Sequence, residues 1–290
     1  MTRERGLLLL LTPYIFGVVV LVAFPAAITF GLALFEYDFV QSPDFRGLGN
    51  FRELAGDEIF RISLRNSLTF IALAVPIRLA GALALALLLH RRMRGVGLYR
   101  AGIYLPTVVP DVAYALLWLW MFNPLYGPIN VTLNAIGLPS PEWLTDGRDA
   151  QWAIVTMTAF LLGEGFLVAL ATRQSIPSEL YELAAVEASS PLYVLRRVTL
   201  PLMAPTLLLL LFRDTILSFQ VNFVPALLVT EGGPPPYETT YLPLFVYRTG
   251  FEYLRYGYAA AATVVMFLTT ALIVFVQWRI VVRWRRGFAV

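Results

Sequence analysis

Six stretches of this chain, about residues 7–35, 66–89, 101–122, 151–172, 202–229 and 257–278, are long and predominantly apolar. A helix needs about 20 such residues to cross the roughly 30 Å hydrocarbon layer of a bilayer, so each stretch is long enough to span. The last of them, 257–278, carries no charged residue. With 58% hydrophobic and 14% charged residues, the chain lies outside the range of a soluble globule of this length. Period-two alternation is missing, which excludes a transmembrane barrel. The expectation is an all-α, multi-pass membrane protein with six transmembrane helices in one domain over residues 1–290.

Arginine sets the orientation, because cytoplasmic flanks are enriched in basic residues. With six spans both termini share a side. That side holds thirteen arginines against four acids, and the opposite loops hold seven arginines against twelve acids. Both termini and the segment 173–201 are therefore expected in the cytoplasm of a cell-membrane protein. The sequence pI near 9.2 is then a topology signal. No basic patch with interleaved aromatics occurs, so nucleic acid is not an expected partner. Arg3 and Arg5 precede an apolar stretch too long for a secretory h-region of about 7–15 residues, which predicts an uncleaved first span.

Cysteine is absent, which removes disulfides, thiolate metal sites and cysteine nucleophiles together. All 22 basic residues are arginine. A phosphate-binding P-loop needs its lysine, so ATP hydrolysis by that route must occur on another subunit. Lone His90 has nothing nearby to complete a metal site. No metal or catalytic residue is assigned.

The loops differ in character. Residues 36–65 mix acids, arginines and Gly47-Leu48-Gly49-Asn50 and predict a short structured excursion. Residues 123–150 hold Asn123-Pro124, Gly127-Pro128 and Leu138-Pro139-Ser140-Pro141, with Trp143 suited to the membrane interface. In the cytoplasmic insert, Pro177 and Ser178 open a helix whose first turns carry Glu179 and Glu182, where the positive end of the helix dipole favours acids. Leu180, Leu183, Ala184 and Glu187 share a face by their spacing. Ser190 before Pro191 reads as the N-cap and first residue of a second short helix, which Leu200-Pro201 is expected to end before the fifth span. An amphipathic helix of this kind suits a partner's groove.

At these residues the chain resembles the inner-membrane permease subunits of binding-protein-dependent ABC importers, in particular the carbohydrate group of the maltose and glycerol-3-phosphate type. The cytoplasmic signature of that family, Glu-Ala-Ala, then Gly, then Leu-Pro, is matched by Glu182-Leu183-Ala184, Ala188 and Leu200-Pro201. Leu183 stands for the first alanine and Ala188 for the glycine, so the bend falls to Ser189-Ser190-Pro191. Leu48-Gly49-Asn50-Phe51, Leu105-Pro106, Phe122-Asn123-Pro124, Gly127-Pro128-Ile129-Asn130, Ser218-Phe219-Gln220, Gly232-Gly233-Pro234 and Tyr247-Arg248-Thr249-Gly250-Phe251 follow in the family's order.

The resemblance implies a type I ABC importer permease fold with a cytoplasmic coupling helix. Glu182, Leu183, Ala184, Ala185, Ala188, Leu200 and Pro201 would form the ATPase-coupling segment. It implies as partners a second, different permease chain, two ATPase subunits carrying ATP and Mg, and an extracytoplasmic sugar-binding protein. No cofactor is expected on this chain itself.

Five ionisable residues fall within spans, namely Arg78, Asp111, Glu164, Arg213 and Asp214, and such groups face a bundle interior or a cavity. Asp214, Ser218 and Asn222 follow at i, i+4 and i+8, flanked by Phe219 and Phe223, and offer both hydrogen bonds and ring faces to a sugar. Similarity in position to the family's sugar-contact sites adds Phe160, Leu161 and Glu164, so the expected substrate set is Phe160, Leu161, Glu164, Asp214, Ser218, Phe219 and Asn222. Interhelical ion pairing of Arg78 or of Arg213 with Asp214 is the alternative reading of those charges, while Tyr114, Trp118 and Trp120 fit packing or interface positions. Glu164 and Asp214 argue against strongly anionic cargo. Sugar import is the leading expectation. An importer permease for another solute is the second, and an ion-coupled secondary transporter the third; the latter should show repeats or broken-helix pairs, and neither is evident in the sequence.

Overall fold

The computed structural model describes residues 3–91, 93–186, 190–233 and 237–286. Within them it is helical apart from one two-stranded antiparallel ribbon. In chain order the elements are α1 (Arg3–Val18), α2 (Phe24–Leu32), β1 (Phe35–Glu36), β2 (Asp44–Phe45), α3 (Gly49–Gly56), α4 (Glu58–Leu89), α5 (Val96–Tyr104), α6 (Asp111–Met121), α7 (Pro128–Ala135) and α8 (Gly147–Ala159). Then follow α9 (Gly163–Ser175), α10 (Glu179–Val186), α11 (Pro191–Val194), α12 (Leu200–Val221), α13 (Phe223–Leu228), α14 (Leu242–Tyr247) and α15 (Tyr256–Arg286).

Among the described residues, four helical runs are long and apolar enough to cross a membrane: Leu10–Leu32, Glu58–Leu89, Pro191–Leu228 and Tyr256–Arg283. Two further runs are broken. Val96–Val108 meets Asp111–Met121 at 103°, and Gly147–Ala159 meets Gly163–Ser175 at 44°, so the total is six if each bent pair is one span. The sequence reading found no broken helices, and both breaks correct it. At the first, Pro106 and Pro110 withhold backbone donors, and a 3-10 turn at Leu105–Val108 leads into the bend. At the second, a close crossing decides: a Cβ on Gly163 would lie 2.9 Å from the Tyr104 Cα, so only glycine lets the backbones meet there.

Proline is handled differently elsewhere. A π-turn at Val19–Ala23 precedes Pro25, and another at Leu195–Thr199 precedes Pro201. Each widens the helix by one residue, with Phe24 N–H donating to Val19 O and Leu200 N–H to Leu195 O. The widened turn accommodates the proline ring without breaking the axis. Leu200-Pro201 therefore does not end the second short helix, contrary to expectation. Residues Pro191–Leu228 form one continuous helical run.

The chain divides into two compact units, Met1–Arg61 with Phe245–Thr269, and Ile62–Leu244 with Thr270–Val290. In the first, the ribbon pairs Phe35 with Phe45 and Glu36 with Asp44. Buried Asn50, from the Leu48-Gly49-Asn50-Phe51 motif, donates to Ala33 O at 2.9 Å and Phe35 O at 2.8 Å. Tyr258 donates to Asp57 at 2.7 Å. The expected excursion at 36–65 is thus a ribbon and a short helix tied by side-chain bonds.

In the second unit one core gathers Phe70, Tyr114, Trp118, Phe122, Ile154, Met157 and Tyr241, and another gathers Ala82, Ala86, Phe166, Leu170, Met203 and Leu210. Tyr114 and Trp118 are packing residues, as expected, and the Tyr114 hydroxyl donates to Met157 O at 2.6 Å. Trp120 is exposed. Trp143 packs on Phe122, with ring centroids 5.3 Å apart, and donates to Asn130 at 2.8 Å. That bond pins the 123–150 loop. Just past the end of α4 the His90 Nδ1–H donates to Leu87 O at 2.6 Å, and partial burial with the nearby arginines holds the pKa of the ring below its ordinary value.

Candidate functional site

A polar cavity of about 220 Å³ lies within the second unit, lined by Arg78, Thr107, Asp111, Leu161, Glu164, Arg213, Leu217, Gln220 and Val221. Its position follows from the two helix breaks. The first bend brings Thr107 and Asp111 to the rim, with Asp111 in the first turn of α6, where a carboxylate is favoured. The second frees the start of α9, so that Leu161 and Glu164 face open space.

The charges form one chain across three helices. Arg78 on α4 bonds Asp214 on α12 at 3.2 Å, Arg213 approaches the same carboxylate at 3.5 Å, and the other end of Arg213 pairs with Glu164 on α9. Arg78 and Asp214 are buried, whereas Arg213 and Glu164 are 38% and 52% exposed. One pair is thus sealed by the chain's own side chains and the other is open. The ion-pair alternative weighed for Arg78 and Arg213 describes what both arginines do. Two buried nitrogens of Arg78, Nε and Nη1, find no hydrogen-bond partner among the described residues.

The structure separates the expected substrate residues into three groups. Leu161 and Glu164 line the cavity. Asp214, Ser218, Phe219 and Asn222 are buried behind it: Ser218 donates to Asp214 O at 2.6 Å, and Asn222, at 1% exposure, leaves both side-chain polar atoms without a partner among the described residues. Phe160 opens instead on a neighbouring apolar groove with Leu85, Leu98, Ile103 and Leu162. The cavity-facing row of α12 is Arg213, Leu217 and Gln220, one position round the helix from the polar stripe seen in the sequence. Thr107, Leu217 and Gln220 were missed because a threonine at a break and a leucine among leucines carry no signal of facing.

The second candidate region is α10. Ser190 caps α11 as expected, accepting from Tyr193 N–H at 3.2 Å. Arg173 sits 4.1 Å over the Tyr181 ring, and the Tyr181 hydroxyl meets Thr199 at 3.2 Å, which ties α10 to both neighbouring helices. Leu183 is 64% exposed, Leu180 and Glu182 are exposed, and Ala184 is buried against its own chain. Ala185 is the penultimate residue of α10, which ends at Val186, while Glu187, Ala188 and Ser189 lie outside the described residues. Leu200 and Pro201 begin α12.

A helical membrane chain with broken spans, an open pocket lined by charged side chains and an exposed amphipathic turn is the architecture of a transport permease. Residues 82–287 match the family model for the binding-protein-dependent transport system inner membrane component, and the chain belongs to that family. It is 30% identical to the probable ABC transporter permease protein YesP of Bacillus subtilis, over 93% of this chain and 88% of that one. Identity to the sn-glycerol-3-phosphate transport system permease protein UgpA of Agrobacterium fabrum is 32%, over 94% and 93%. Among solved structures, a bacterial ABC transporter involved in the import of the acidic polysaccharide alginate superposes with a TM-score of 0.80 at 25% identity, covering 97% of this chain and 96% of that one. This chain is therefore a multi-pass permease subunit of a binding-protein-dependent importer. It is not the catalytic subunit.

Proposed function

We propose that this permease imports a sugar or oligosaccharide handed over by an extracytoplasmic sugar-binding protein, with its six spans paired against a second, different permease chain. Both termini and α10 are then cytoplasmic, as the arginine distribution favours. Of two ATPase subunits in the assembly, holding ATP and Mg, one grips α10 through Leu180, Glu182 and Leu183, with Ala184, Ala185 and Ala188 completing the small-residue segment and Leu200-Pro201 carrying the motion into α12. Leu161 and Glu164 meet the cargo, together with Arg213 and Gln220. Asp214, Ser218, Phe219 and Asn222 shape that surface from behind, and Phe160 borders the adjoining groove.

The observation that carries this reading is the pocket at the helix breaks, where hydrogen-bonding side chains stand beside Leu161 and Leu217. Sugars need that combination, because hydroxyls take both kinds of hydrogen bond and ring C–H faces pack on apolar side chains. The exposed leucines of α10 give the machine its handle, since an amphipathic helix presents such residues to a groove.

Purification in mild detergent followed by subunit identification tests the assembly. An ATPase is expected to copurify with the wild-type chain and to be lost with Leu183→Arg, while membrane insertion is unchanged. Solute uptake by Leu183→Arg at the wild-type rate would remove α10 from the coupling path.

A further inference from the structure

Three carboxylates and two arginines make up the charge of the cavity and the layer directly behind it. Neither arginine is free. Arg78 is bound to Asp214 at 3.2 Å, and its unpartnered Nε and Nη1 are buried rather than turned to the open space. Arg213 is held by Glu164 on one side and by Asp214, at 3.5 Å, on the other. Asp111 is exposed at the rim and has no ion pair among the described residues. Asp111 is therefore the carboxylate of this pocket that no arginine neutralises among the described residues.

We infer that the cargo is a saccharide without uronate, phosphate or sulfate groups. This rests on the saccharide-import reading above and adds the charge class to it. An anionic group at this site would face Asp111, and would have to pull Arg213 from Glu164 to gain a cation. Uncharged hydroxyls meet no such obstacle. They accept from the exposed edge of Arg213, donate to Glu164 and Asp111, and exchange bonds with Thr107 and Gln220, while Leu161, Leu217 and Val221 take the C–H faces. Selectivity of this kind comes from a repulsive element as much as from an attractive one. Alginate, the acidic polysaccharide in whose import the structurally similar transporter is involved, is the type of solute that this surface rejects.

Two measurements test it. The full complex with its binding protein is isolated, the ligand that the binding protein carries is released, and its charge is read by mass spectrometry; the same binding protein is screened against an array of neutral, amino, uronate and phosphorylated saccharides. A neutral or amino saccharide is expected. A uronate or sugar phosphate overturns the inference and leaves saccharide import standing, whereas a non-saccharide ligand overturns the import reading itself.

The second measurement addresses this chain directly. In proteoliposomes holding the full complex, with equal loading of the binding protein, Asp111→Arg is expected to narrow the preference for neutral over uronate-bearing cargo by about tenfold. Asp111→Asn should move it the same way by less, and serves if the arginine variant fails to assemble. An unchanged preference in an assembled variant overturns the role given to Asp111.

Discussion

Each unit of this permease holds a network of two arginines and two acids, and the two networks behave as opposites. In the first unit Arg46 pairs with Glu53 at 2.9 Å and Glu36 at 3.7 Å, while Arg255 reaches Glu53 at 2.5 Å, all on partly exposed side chains. In the second unit Arg78, Asp214, Arg213 and Glu164 make a chain that runs from a sealed pair to an open one. The same chemistry thus serves as a fastening in one place and as a surface for traffic in the other. Burial makes the difference: exposed pairs contribute about 0–1 kcal/mol, whereas removing one partner of a buried pair costs roughly 3–5 kcal/mol because the other charge is stranded.

Asp214→Ala separates the two networks most strongly. It leaves Arg78 buried and unpaired, and unfolding of the purified chain in detergent should show a loss of about 3–5 kcal/mol. Replacing the pair together, with Arg78→Met and Asp214→Leu, should recover most of that stability, since two apolar residues leave no stranded charge. A double variant as unstable as the single one would mean that the pair does more than neutralise itself. Glu164→Gln comes next. Its partner Arg213 is already partly exposed and keeps its contact with Asp214, so the expected cost is at most about 1 kcal/mol, while cargo import in the full complex falls; undiminished import would remove Glu164 from the path.

The first unit should respond less. Glu53→Ala removes both Arg46 and Arg255 contacts for roughly 1 kcal/mol in low salt, and about 1 M salt should erase most of that while leaving the Asp214→Ala cost intact. The smallest effect is a pH dependence. Partial burial pushes the Glu53 carboxyl up, but the hydrogen bonds and charges of Arg255 and Arg46 outweigh it and hold it below the ordinary value of 4.5. Its contribution is therefore fully present above pH 4.5 and fades as the pH falls through the lowered value. A melting curve of Glu53→Gln should lose that acid limb; an identical limb in the variant would assign it to other carboxylates.

The apolar runs and the cap at Ser190 were legible in the sequence because each rests on a local rule, of length or of capping, whereas Asn50 and Asn130 stood there only as motif residues and their buried amide bonds were not foreseen. The helix breaks were not legible either. Pro106 and Pro110 stand inside an apolar run just as Pro76 and Pro205 do, yet the latter two lie within continuous helices. What accompanies the bend at Pro106 and Pro110 is the 3-10 turn at Leu105–Val108 beside the close approach of Gly163 to Tyr104, and neither proline's place in an apolar run announces it. The polar stripe Asp214, Ser218, Asn222 was visible by its spacing, but spacing fixes a face and not what that face meets. Here it meets the core, and the neighbouring row with Arg213, Leu217 and Gln220 meets the cavity.

That last distinction can be measured cleanly, because the chain has no cysteine. Single cysteines at Gln220 and Asn222, placed in the full complex, are probed with a membrane-impermeant thiol reagent during ATP-driven turnover, with and without cargo-loaded binding protein. The account predicts labelling at 220 that cargo slows and no labelling at 222. Reactivity at 222 with 220 silent, or labelling at 220 that cargo leaves unchanged, would contradict the assignment of this row to the transport path.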